Sequence, residues 1–165
     1  MDSYAKNNEI QKYTLQSYRR FVDMGYEPII KMNKDYDLLP VKKPYMNFLN
    51  TLKKYQGEDL LIAEDDCFID VRHDELISKL CTKNAITRVV WLKKGKNKNE
   101  YVGNILTYIP QEFQKELIAL MESNKPTCID MFLSKKVPQV VMEKCGREIQ
   151  HLSQTTGKVR KGIIL

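Results

Sequence analysis

The chain has 165 residues and a formal net charge of +6, from 27 Lys and Arg against 21 Asp and Glu. With 42% hydrophobic and 29% charged residues, it has the composition of an ordinary globular protein, which excludes disordered and fibrous classes. The length suits one domain, residues 1–165, with a core that needs no covalent staples.

No apolar run reaches bilayer length, and the opening MDSYAKNNEIQ lacks a signal-peptide core. Cys67, Cys81, Cys128 and Cys145 are widely spaced, with no CxxC pair and no His at zinc-finger spacing. Reduced thiols in a cytoplasmic protein are the expectation, with no membrane partner. The basic excess gathers in Lys93-Lys94-Gly95-Lys96-Asn97-Lys98 and in Lys158, Arg160 and Lys161. Such a balance suits nucleic acid or a phosphorylated substrate, and the alternative is surface solubility.

In chain order, Glu9–Met24 has the period of an amphipathic helix, with Ile10, Tyr13, Tyr18, Phe21 and Val22 inward and Gly25 placed to end it. Pro28–Met32 reads as a strand and residues 33–43 as a loop. From Pro44, residues Tyr45, Phe48, Leu49, Leu52 and Tyr55 keep helical spacing up to Gly57. Leu60-Leu61-Ile62-Ala63 then runs straight into the acids Glu64-Asp65-Asp66. An apolar run without alternation predicts a buried strand of a parallel sheet, and acids at its carboxyl end stand where open α/β sheets bind ligands. Alternation along an extended chain would turn Glu64 and Asp66 to one side, ready to share a hard divalent cation. The alternative is an acid-rich surface turn.

Further on, Asp74 is placed to cap a short helix carrying Leu76, Ile77 and Leu80. Arg88–Leu92 and Tyr101–Ile109 predict an antiparallel hairpin across the lysine-rich turn. Pro110 opens a helix with Phe113, Leu117, Leu120 and Met121 on one side, broken by Asn124-Lys125-Pro126. Cys128–Leu133 is apolar apart from Asp130, Pro138–Cys145 predicts one more helix, and the tail from Gln150 is polar and basic. Neither GxxxxGK[ST] nor GxGxxG is present, so the P-loop and dinucleotide fingerprints are excluded.

LLIAEDD followed by an apolar residue resembles the strand and DxD-type motif of GT-A glycosyltransferases, the lipopolysaccharide-type family 25 above all. Tyr45–Tyr55 resembles the helix feeding that strand. Tyr101–Ile109 with Pro110, PTCIDMFLS and HLSQTTG come in the order that family shows, so the likeness covers most of the chain. It implies a GT-A-like, Rossmann-like three-layer α/β sandwich with a mostly parallel central sheet and a small antiparallel hairpin. It also implies a nucleotide-sugar donor, UDP-linked above all, and Mn²⁺ or Mg²⁺. Glu64, Asp66 and His151 would hold the metal. Glu64 and Asp65 would contact the diphosphate and the ribose or donor sugar, with Asp65 a second candidate catalytic carboxylate. Ser153 would lie beside the diphosphate, Lys158 and Arg160 would neutralise phosphate, and Asp130 would face the acceptor as general base. Where the family opens on a full nucleoside-binding strand, only Ser3-Tyr4-Ala5 precedes the first helix here, and Tyr4 is the candidate nucleoside contact.

The basic charge also suits DNA as acceptor, by analogy with small bacteriophage glycosyltransferases that decorate hydroxymethylated bases. A target base would then have to leave the stack. A glycan or lipopolysaccharide acceptor is the second reading, and a nucleic-acid-binding protein without catalysis is the third.

Overall fold

A computed structural model describes residues 2–3, 8–29, 31–32, 42–64, 67–69, 71, 74–81, 84–94, 99–137, 150–152, 159–161 and 163–164. Helix α1 (Asn8–Asp23) follows strand β1 (Asp2–Ser3) and is ended by Gly25 at φ +86°. The Gly25 N–H donates to Val22 O and the Tyr26 N–H to Phe21 O, with the Phe21 and Tyr26 rings edge to face at 5.8 Å. That is a complete Schellman motif with its hydrophobic contact. Strand β2 (Lys31–Met32) pairs with β1 in parallel. Helix α2 (Lys43–Lys54) carries Pro44 in its first turn, where the missing N–H costs nothing.

Strands β3 (Leu60–Ala63), β5 (Thr87–Lys94), β6 (Asn99–Ile109) and β9 (Ile163–Ile164) form the central sheet in the order β3-β6-β5-β9. Every pairing in it is antiparallel. The expectation of a mostly parallel sheet is therefore corrected. A short apolar run fits either sheet type, and β3 receives its ladder from the strand that precedes α4 (Gln111–Glu122). The hairpin β5–β6 is also the centre of this sheet and not an accessory. Strand β4 (Cys67–Phe68) instead joins β7 (Gln150–Leu152) and β8 (Val159–Lys161) in a second, antiparallel sheet.

Alternation along β3 serves two cores. Leu61 and Ala63 face Phe21, Cys67, Ile69, Val89, Leu106 and Tyr108, together with Ile77 and Leu80 of α3 (Asp74–Cys81). Leu60 and Ile62 face the other way, onto α2, α4 and α5 (Ile129–Lys136). The result is a mixed α/β arrangement of three layers, with α1 and α3 on one side of the sheet and the other helices opposite. Among the described residues, no helix is long and apolar enough to cross a membrane.

The helix α1 face differs from the expected one. Thr14, Ser17 and Phe21 are buried, whereas Val22 is exposed. The reason is that Ser17 has backbone partners to satisfy inside. Cys128–Leu133, expected as an apolar segment, turns helical from Ile129, with Phe132 donating its N–H to Cys128 O. The basic tail contributes three strands where none is expected, because pairing with β4 and β5 is a tertiary event that its polar composition does not signal. The expected helix over Pro138–Cys145 lies outside the described residues.

Candidate functional site

The acidic segment leaves the central sheet at its β3 end. Glu64, half-buried, continues β3 as a single bridge residue, and its carbonyl accepts the Cys67 N–H at 3.1 Å. This is an i→i+3 bond, and the alternation expected of Glu64 and Asp66 falls on a residue outside those described. Asp65 and Asp66 themselves lie outside the described residues, as do Tyr4, Ser153 and Lys158.

Strand β4 fixes the position of the chain just beyond the acids. Cys67 stands opposite His151 of β7, and His151 stands opposite Arg160 of β8. Segments separated by more than eighty residues of chain thus meet in one small sheet beginning one residue after the acids. Three of the candidate positions, Glu64, His151 and Arg160, are brought to one locality by backbone pairing.

Helix α1 anchors this sheet from beneath. The Ser17 hydroxyl donates to Cys67 O at 2.6 Å and accepts the Ile69 N–H at 3.1 Å, and Ser17 is fully buried. One side chain therefore satisfies two buried backbone groups flanking β4. Arg20 of the same helix donates through Nε to Asp74 at 2.9 Å, pairs with it again through its terminal nitrogen, and also meets Asp23. This bidentate contact ties α1 to α3.

A cleft of about 410 Å³ runs beside β3, lined by Phe21, Tyr26, Lys54, Asp59 and Leu60–Ala63. It ends next to Glu64. Its volume is that of a small-ligand site. Asp59 is held rigidly on its wall, accepting the Tyr108 hydroxyl at 2.9 Å and the Gln111 N–H at 2.9 Å. The carboxylate thereby caps α4, whose N-cap residue Pro110 offers no side-chain bond. Burial, with Asp59 accepting from it, pushes the Tyr108 hydroxyl up to about 12. Burial and the Cys81 thiol, 3.4 Å away, likewise raise the Tyr26 hydroxyl, so both phenols are neutral donors.

Asp130 stands elsewhere. It lies in the first turn of α5, on the opposite side of the sheet from α1, within electrostatic reach of Arg88. Arg88 is 3% exposed and donates to the Ser134 hydroxyl at 3.3 Å. Burial pushes its guanidinium down to about 10, while Asp130 acts to raise it.

Sequence reasoning misses Ser17, Asp59 and Arg88. Ser17 carries a signal, since it lies four residues before Phe21 on one helical face. Arg88 carries one too, as the lone charge at the head of an apolar strand. Asp59, at a strand entry, carries none.

Among the described residues, no cluster of His, Cys, Asp and Glu could hold a metal ion. The donor types at the acidic segment and at position 151, carboxylate and imidazole, suit Mn²⁺ or Mg²⁺ with open positions. The Cys67–His151 register brings those chain segments together. Comparison with models of known protein families, with curated proteins and with solved structures finds no match.

Proposed function

We propose that this chain is a metal-dependent glycosyltransferase that moves a sugar from a nucleotide-sugar to an acceptor, DNA being the acceptor class its charge favours. One observation carries the reading. The strand emerging from Glu64-Asp65-Asp66 pairs with the strand containing His151, which in turn pairs with the strand containing Arg160. The cleft that ends beside Glu64 adds room for a nucleoside.

Glu64, Asp66 and His151 would hold Mn²⁺ or Mg²⁺, which when bound stabilises a diphosphate leaving group as a Lewis acid. Arg160 and Lys158 would add fixed positive charge toward the phosphates, and Tyr4 and Ser153 further contacts to the donor. Tyr26 and Asp59 on the cleft wall offer one hydroxyl and one carboxylate with which to orient a ribose. For proton removal from the acceptor, Asp65 and Asp130 are the two candidate carboxylates. Asp130 lies within electrostatic reach of the buried Arg88 guanidinium.

Nucleotide release, measured across UDP-, GDP- and CMP-sugars with Mn²⁺ and either hydroxymethylcytosine DNA or glycan acceptors, tests the proposal. Turnover with one donor, abolished in Asp66→Asn, is the expected result. Release from no donor with either acceptor, or full activity in Asp66→Asn, would refute it.

A further inference from the structure

A second surface lies next to the acidic segment and takes no part in the transfer chemistry. Residues 12, 15, 16, 19 and 23 recur at helical spacing along the outer face of α1, and with Ile69 and Val71 they line an open groove of about 690 Å³. Its floor is Ile69, fully buried, and its rim holds Leu15 and Val71, 51% and 67% exposed. Val71 lies five residues after Asp66 in sequence.

The charges in this groove are unequal. Lys12 and Arg19 are exposed on its α1 wall. Arg20 borders it with its guanidinium shared between Asp74 and Asp23, whose side chain is 64% exposed. The lining residues Lys12, Arg19 and Arg20 outnumber the one carboxylate, Asp23, so the groove is net positive. Lys12 and Arg19 are two helical turns apart, about 10 Å along the axis.

We infer that this groove docks a nucleic-acid strand, with phosphates on Lys12 and Arg19 and the sugar and base edges against Leu15 and Val71. Concavity favours a strand over a bilayer, since the apolar side chains line a trough and do not crown a convex surface. Supply of a target base to the acidic segment rests on the proposal of a DNA acceptor. Binding in the groove does not, because neither Glu64 nor the candidate metal ligands take part in it.

The test is fluorescence anisotropy of labelled short oligonucleotides, single-stranded and duplex, with the full chain in EDTA and without nucleotide-sugar, at several salt concentrations. Lys12→Glu/Arg19→Glu is expected to weaken single-strand binding by about tenfold or more. It should also lower the salt slope by about 1.4, at ~0.7 for each phosphate no longer neutralised. Lys115→Glu/Lys125→Glu, equally exposed on the α4 side, should stay within about twofold of the parent at a given salt concentration, apart from the change in net charge. Circular dichroism melting confirms that both variants fold. Equal weakening by the two variants would overturn the inference in favour of diffuse attraction. So would binding to phosphatidylserine–phosphatidylcholine vesicles or to an acidic peptide with none to oligonucleotide. Absence of oligonucleotide binding with Mn²⁺ and nucleotide binding intact separates failure of the groove from failure of the transferase reading.

Discussion

On one face of the central sheet, Tyr45, Phe48, Leu52, Leu117, Met121, Phe132 and Leu133 make an apolar core between three helices and the sheet. Its hydrogen bonds run from the Tyr45 hydroxyl to Met121 O at 2.8 Å, between Gln114 and Gly57 and Glu58, and from Arg88 to the Ser134 hydroxyl, and the Tyr45 and Phe132 rings meet edge to face at 5.2 Å. On the other face, the core of Phe21, Ile69, Ile77, Leu80 and Leu106 is threaded with polar ties: Ser17 to Cys67 and Ile69, and Arg20 to Asp74. These ties all converge on the segment just after the acids. The first face joins area removed from water to a few bonds that hold its helices on the sheet and stand away from the acids. The second uses directional bonds to fix where one short strand sits, which is what a site requires and a core does not.

Substitutions break this contrast in graded steps. Phe132→Ala is expected to cost about 3–5 kcal/mol in urea unfolding, as a cavity opens in the apolar face. Ser17→Ala leaves the Cys67 carbonyl and the Ile69 amide without their partner, at about 1–3 kcal/mol. Its distinguishing effect is local. Amide exchange at Ile69 should speed up and Mn²⁺–nucleotide binding should weaken, whereas Tyr45→Phe costs about 1 kcal/mol and leaves that binding unchanged. Equal effects of the two on ligand binding would erase the contrast.

Tyr108→Phe gives the smallest effect and a pH signature. The Tyr108 hydroxyl titrates higher in the folded chain, at about 12, than its usual 10.0, so the folded state holds the proton longer. The stability it contributes is complete below pH 10.0 and is lost as pH rises toward about 12. The stability difference between the parent and Tyr108→Phe, followed by urea titration, should therefore be flat to pH 10 and shrink above it.

Legibility in the sequence tracks the range of the interactions. The Gly25 stop, the Pro44 start, α3 and the β5–β6 hairpin rest on local rules, and each forms close to its expected bounds. The parallel sheet fails because four apolar residues, Leu60–Ala63, describe a buried strand without naming its neighbour, and the neighbour is β6. The inward Ser17 and the exposed Val22 show the same limit, since a hydroxyl's partners fifty residues away leave no trace in helical period. His151 is a candidate through resemblance alone, and Arg160 through resemblance and the basic charge of the tail. Their backbones meet beside β4, which periodicity could not have indicated.

The central claim is that Asp66 and His151, eighty-five residues apart in sequence, serve one metal–diphosphate site. Thermal shift with Mn²⁺ and UDP, each alone and together, on the parent chain, Asp66→Asn and His151→Ala tests it most directly. A ligand at about 100 times its dissociation constant should stabilise the parent by roughly 2.7 kcal/mol. The account predicts a shift that needs both metal and nucleotide and disappears in both variants, with their melting temperatures otherwise that of the parent. A shift preserved in His151→Ala, or the absence of any shift in the parent with UDP, GDP or CMP, would contradict it.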